Sequence, residues 1–392
     1  MIVSRKMQDY MEHSSWIRRM FEEGARLKAV HGTENVFDFS LGNPDLPPPQ
    51  SVLEKASELV TSMNHGYMPN AGFSDVRETL AGYASKLYEV PLVAEDIVMA
   101  CGAGGGLNVV LKAITNPGDE IIAIAPYFVE YGFYAENHGG VLVEARCGED
   151  FLPSMDSIGK ALSPRTRAVI INSPNNPTGR VYSREVLTGL AALLEDRPDI
   201  LVISDEPYRR LVYDGREVPS VLRHIPRSVV VTSASKDLSL AGQRIGYIAS
   251  GPGIPDRQKF ANALVLATRI LGFVNAPSLM QRVYASCLCE GECIDVDRYQ
   301  ERRDVFTGIL SDAGLSYAPP EGAFYLFVKS PLEDDVAFCA ELVREKILAV
   351  PGKGFGWPGY VRFAYCVSME SIRGCAPALK RVMEHIENLG LK

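Results

Sequence analysis

The stretch SASKDLSLAGQRIGY, residues 233–247, places two serines and a lysine directly after the apolar run SVVVT and an arginine, Arg244, shortly afterwards. A lysine on an open surface is an ordinary solvated charge. One that follows small residues at the end of a buried strand is desolvated, gives up its proton more readily and becomes a nucleophile. SASK also fits S-x-x-K, the nucleophile motif of serine acyl enzymes such as class A β-lactamases, but the S-D-N and K-T-G triplets that complete that motif do not occur.

Four other apolar runs end in residues of the same interest. DIVMAC is followed by GAGGG (102–106), EIIAIA by PYFVEY (126–131), AVIIN by SPNNPTG (173–179) and ILVIS by DEPY (205–208). Each has a plain local reading: a tight turn, aromatic packing, a turn built on Asn-Pro and Thr-Gly, and a helix-capping aspartate. GAGGG opening a helix also makes a nest of backbone amides for an anion. It is not G-x-G-x-x-G, and the next run ends in Ala125 and Pro126 where a ribose-binding acid would stand, so a dinucleotide is disfavoured.

The elements that must position these groups can be read from the same runs. They are short and nearly continuous rather than alternating, as strands covered on both faces require, and helix-like segments such as SREVLTGLAALLED (183–196) separate several of them. That pattern is a mostly parallel α/β sheet, and ligands of such sheets sit at the carboxyl ends of the strands. Beyond about residue 280 the texture changes to a smaller α+β region containing GAFYLFV (322–328) and YVRFAYC (360–366). The expected domains are 46–280, a large ligand-binding domain, and a discontinuous small domain of 1–45 plus 281–392.

A chain of 392 residues with 46% hydrophobic content can build both cores. A net charge of −8 argues against a nucleic-acid binder, which needs a concentrated basic face. The N-terminal residues lack the apolar core of a signal peptide and no apolar run is long enough for a membrane span, so the expectation is a cytoplasmic protein with no membrane partner. Cys287, Cys289 and Cys293 lack paired C-x-x-C spacing, which makes zinc a poor reading and reduced thiols the plain one.

Taken in order, SLGNPD (40–45), HGYMPNAG (65–72), the Gly-rich turn, PYFVEY, SPNNPTG, DEPY, SASKDLSLAGQRIGY, GAFY (322–325) and VRFAY (361–365) resemble the fold-type I enzymes dependent on pyridoxal 5′-phosphate (PLP), specifically the class I and II aminotransferases. The resemblance implies a seven-stranded, mostly parallel sheet of the PLP-dependent transferase type with a smaller α+β domain. It implies that Lys236 holds PLP as an imine and shuttles a proton, that Asp205 pairs with the pyridine nitrogen, and that Tyr208 and Asn176 hydrogen-bond the ring's 3-hydroxyl. Phe128 takes the ring-stacking place. The phosphate falls to the amides of Ala103 and Gly104, to Ser233 and Ser235, and to Arg244; Ala103 stands where relatives often carry a hydroxyl.

Tyr67 matches a tyrosine that crosses to the neighbouring subunit's phosphate, which implies a homodimer with shared sites. Arg362 matches the arginine that forks a substrate α-carboxylate, with Gly42, Asn43 and Asn176 beside it. The implied reaction is ping-pong transfer of an amino group from an L-amino acid to a 2-oxo acid. Relatives on the same scaffold also run β-elimination as C–S lyases, and a regulatory protein would need a DNA-binding module that the residues before SLGNPD do not supply. By the same resemblance Trp16, Ile17, Phe324 and Tyr325 are candidates for the wall of the substrate pocket, while Arg269 lies in a region that could reach a neighbouring subunit's site or be a surface or phosphate-proximal charge.

Overall fold

A computed structural model describes residues 2–12, 16–388 and 390. The chain forms two compact units, one of Pro44–Val296 with Glu321–Ala323 and one of Met1–Asn43, Asp297–Pro320 and Phe324–Lys392. Among the described residues no helix is long and apolar enough to cross a membrane.

In the larger unit seven strands form one sheet: β1 (Ile97–Ala100), β2 (Glu120–Ala125), β3 (Val141–Arg146), β4 (Thr166–Asn172), β5 (Leu201–Asp205), β6 (Ser228–Ser233) and β7 (Gly246–Ser250). Their order across the sheet is β1-β7-β6-β5-β4-β2-β3. The pairings from β6 through β5, β4 and β2 to β3 are parallel, whereas β7 runs antiparallel to both β6 and β1. The inner strands are Val- and Ile-rich because helices cover both faces. Val229, Val231, Ile121, Ile170 and Ile203 pack in one core with helix α1 (Gly102–Ile114) and its Leu107, Val110 and Leu111.

The run 141–145 departs from the expectation of two buried faces. β3 lies at one edge of the sheet, with Val141 51% exposed and only Ala145 buried. Its apolar composition alone could not distinguish an edge from an interior position. The larger unit also continues past residue 280, because helix α3 (Ser278–Cys289) packs on the helices Gln50–Ser62 and Ser74–Tyr88.

Register delivers the strand ends together. Asn172 on β4 pairs with Asp205 on β5, Asp205 with Val231 on β6, and Ser233 with Gly246 on β7. Gly246 is required there, since a Cβ would stand 2.1 Å from the Thr232 carbonyl oxygen.

The smaller unit holds an antiparallel sheet of β8 (Tyr325–Lys329), β9 (Val350–Pro351) and β10 (Tyr360–Ala364), in the order β9-β10-β8. The N-terminal segment joins it: Phe37–Asp38 pairs in parallel with Ile347–Leu348. Phe39, Phe306 and Phe363 form an aromatic core in that unit, with ring centroids 4.7 to 6.0 Å apart.

Candidate active site

At the carboxyl edge of the large sheet, Asp205 ends β5 and is 5% exposed. Its Oδ2 accepts a hydrogen bond from the Tyr131 hydroxyl at 2.6 Å, while its Oδ1 is buried with no partner among the described residues. Burial raises the Asp205 pKa to about 7; the Tyr131 hydrogen bond and the nearby charge of Lys236 act in the opposite direction. A buried carboxylate oxygen left without a donor loses the hydrogen bond it made to water, so the site favours a cationic or N–H group brought in by a ligand.

Lys236 follows β6 and is half-buried, its Nζ 5.9 Å from the centre of the buried Tyr208 ring. Asn172 knits the neighbouring loop to this edge. Its amide donates to the Asp205 carbonyl at 2.7 Å, and its Oδ1 accepts from the backbone N–H of Asn176, also at 2.7 Å. Asn176 is thereby held, buried, beside the strand that ends in Asp205. Phe128 is half-buried after β2 and meets the Tyr131 ring edge-on, centroids 5.7 Å apart.

The start of helix α1 supplies a second cluster. Gly102 has φ +72, and a Cβ there would stand 2.7 Å from Arg244 Nη2. The guanidinium thus lies against the turn whose free N–H groups open the helix. Arg244 is exposed, sits in the left-handed region at φ 49, and donates through Nη1 to the Ala241 carbonyl. Ser233 and Ser235 are both buried, linked by the Ser235 N–H to Ser233 Oγ at 3.4 Å.

Two expected residues stand apart from these clusters. Tyr67 is 93% exposed on a loop tied to the segment 273–276 by Asn70 donating to the Val274 carbonyl and Asn275 to the Met68 carbonyl. Arg269 is exposed on the helix Arg257–Ile270.

In the smaller unit Arg362 is 2% exposed, and its guanidinium carbon lies 4.7 Å from the Tyr325 ring centre and 4.8 Å from that of Phe355. Nη2 donates to the Ser40 carbonyl at 2.6 Å. An arginine flanked by two rings has its plane held, which suits bidentate recognition of a carboxylate. Gly42 lies under the Tyr325 hydroxyl so closely that a Cβ would stand 2.0 Å from it. Trp16 lies beside Gly354 and Phe324 is buried; the side chain of Ile17 lies outside the described residues.

Sequence reasoning missed Asn172 and Tyr131. Asn172 ends a strand run and carried no motif signal of its own. Tyr131 lay in PYFVEY, but its partner is 74 residues away in the chain, so spacing held no sign of it.

The groups present fit PLP: a buried carboxylate oxygen without a donor for a pyridinium, an amine just past the end of the next strand for the aldehyde, and a helix start flanked by an arginine for the phosphate. Comparison with known proteins agrees. The family model described as "Aminotransferase class I and II" matches residues 34–379. The chain is 33% identical over 379 residues to the aspartate aminotransferase of Thermotoga maritima, covering 95% of this chain and 97% of that one. It is 32% identical over 352 residues to the aspartate/prephenate aminotransferase of Thermus thermophilus, covering 87% and 89%. Among solved structures, an aminotransferase from Eubacterium rectale superposes with a TM-score of 0.94 at 39% identity, covering 98% of this chain and 99% of that one. The aspartate aminotransferase of Thermus thermophilus with maleate gives 0.87 at 30% identity, covering 97% and 99%. These relatives favour amino transfer over β-elimination: the chain belongs to the class I and II aminotransferases and is a PLP-dependent aminotransferase.

Proposed function

We propose that Lys236, Asp205, Tyr208, Asn176 and Arg362 carry transamination of an L-amino acid with a 2-oxo acid. The observation that supports this most is the unpartnered Oδ1 of Asp205, nine-tenths buried and near enough to Lys236 for their charges to interact. When bound, PLP supplies an aldehyde and an electron-accepting ring. Asp205 holds a proton at the ring nitrogen, with Tyr131 fixing the other carboxylate oxygen. The ε-amine of Lys236, freed when the incoming amine takes its place, would take the proton from the substrate Cα and deliver it to C4′, the aldehyde carbon of the cofactor. Tyr208 and Asn176 hold the ring's 3-oxygen, and Phe128 covers the ring face.

Arg244, Ser233, Ser235 and the amides of Ala103 and Gly104 hold the phosphate. Arg362 forks the α-carboxylate shared by donor and acceptor, with Gly42 beside it. Aspartate is the first donor to assay because the relatives are named for it.

The working unit in this reading is a homodimer in which Tyr67 serves the neighbouring copy. A tyrosine 93% exposed, on a unit that also exposes Leu53, Val60, Leu266 and Ile270, suits a surface covered by a second chain. The reading also places the enzyme in the cytoplasm, whose reducing conditions suit eight free cysteines. Borohydride reduction of the PLP-loaded protein followed by peptide mapping is expected to label Lys236, and a panel of amino donors with 2-oxoglutarate or pyruvate is expected to release 2-oxo acid only when an acceptor is supplied. No label at Lys236 would overturn the assignment.

A further inference from the structure

Helix α2 (Glu130–Asn137) carries a second tyrosine, Tyr134, one turn beyond Tyr131. It is half-buried, and its hydroxyl has no hydrogen-bond partner among the described residues. That hydroxyl points at the start of helix α1, 2.9 Å from where a Cβ on Gly104 would stand. Arg244 Nη2 lies 2.7 Å from the corresponding position on Gly102. A guanidinium and a phenol therefore press on the first and third residues of one three-residue turn, with the amides of Ala103 and Gly104 as its remaining donors. Position 103 itself offers no hydroxyl. Burial, with Glu130 and Asp205 nearby, raises the Tyr134 pKa, so the phenol keeps its proton and can donate it to an anion.

We propose that the Tyr134 hydroxyl donates a hydrogen bond to the phosphate of PLP, supplying from helix α2 the contact that Ala103 cannot make. This rests on the reading of Arg244 and the 103–104 amides as the phosphate cradle. It explains why position 104 is glycine: any side chain there would displace the hydroxyl from the turn.

The test is Tyr134→Phe in the full chain, with PLP and the unphosphorylated aldehyde pyridoxal each titrated by absorbance into cofactor-free protein. A hydrogen bond to a charged acceptor contributes enough that PLP affinity is expected to fall about tenfold or more, while pyridoxal affinity stays at the wild-type value. Because the hydroxyl has no protein partner to lose, the thermal midpoint of the cofactor-free variant is expected to match that of the wild type. Unchanged PLP affinity, or equal losses for both aldehydes, overturns the proposal. So does a raised KM for the amino donor with PLP affinity intact, which would assign the hydroxyl to substrate. Arg244→Gln separates the two levels. If it too leaves PLP affinity intact, the cradle reading has failed; if it weakens PLP and Tyr134→Phe does not, only the Tyr134 assignment has.

Discussion

Asp205 and Glu206 are consecutive carboxylates, both buried, and the chain treats them in opposite ways. Glu206 is surrounded by donors. Ser204 Oγ gives to Oε1 at 2.6 Å, while the Tyr88 hydroxyl and Arg209 Nη1 give to Oε2 at 3.0 and 2.9 Å. Arg209 in turn donates to the carbonyls of Val218 and Pro219 and lies 4.6 Å over the Tyr88 ring. Asp205, one residue earlier and so on the other side of the pleat, has among the described residues a single side-chain donor, Tyr131, and one oxygen with none. The comparison separates two uses of a buried charge. Where the protein itself satisfies every oxygen, the charge holds the fold; where it leaves one open, the charge is kept for a ligand, at a price in stability.

Four substitutions can break or sharpen that contrast. Lys236→Ala removes the amine proposed to hold the cofactor and to move the Cα proton. Transamination is expected to fall by more than the ~10²–10⁴-fold typical of losing an acid–base group, because the covalent anchor goes too. A kcat within tenfold of wild type, measured by coupled assay on variant protein saturated with PLP, would sink the role.

Asp205→Asn is expected to lower kcat by about 10²–10³-fold, the range for removing one preorganised electrostatic partner. It should also make the cofactor-free protein more stable at pH 8. The sign follows from the raised pKa: an acid whose folded pKa of about 7 exceeds its unfolded value of 3.8 adds stability below pH 4, and that contribution is lost as pH rises toward 7 and beyond. The neutral amide escapes this loss, so denaturant midpoints of wild type and variant should diverge as pH rises from 5 to 8. Parallel curves would refute the claim that an uncompensated charge sits there.

The neighbouring pair should answer in the opposite sense. Arg209→Leu leaves Glu206 without its cation and is expected to cost about 3–5 kcal/mol of stability, read from urea unfolding. The variant that remains folded should keep wild-type kcat, since Glu206 and Arg209 do no chemistry in this reading. A lowered kcat with unchanged stability would erase the distinction between the two carboxylates.

The smallest effect is expected of Tyr131→Phe, which removes the hydroxyl that donates to the Asp205 carboxylate. The Tyr131 hydrogen bond lowers the Asp205 pKa, so its loss should move the acid limb of the kcat/KM profile to higher pH and reduce activity about tenfold at neutral pH. A merely structural tyrosine would lower stability and leave that limb in place.

The candidate site was legible in the chain because each of its main residues follows an apolar run, and the parallel sheet brings all such ends to one edge. Lys236, Asp205, Asn176, Phe128 and the 102–104 turn could be named from that rule, and the matching order of motifs supplied the roles proposed for them. Tyr131, Tyr134 and Asn172 could not. Their work depends on how helix α2 is turned toward β5 and α1, and on which residues of β4 and β5 are in register; neither is a local property of sequence. The edge position of β3 escaped for the same reason, as an apolar strand looks alike with one neighbour or two.

Periodicity and strand-end chemistry in the chain dictated the parallel architecture and the reactive groups, because burial on two faces and exposure at strand ends impose their own residue types. The register and helix packing then settled which buried carboxylate was satisfied and which stayed open. Hydrogen bonding is decided within tenths of an ångström between residues far apart in the chain, a scale that composition and spacing do not encode.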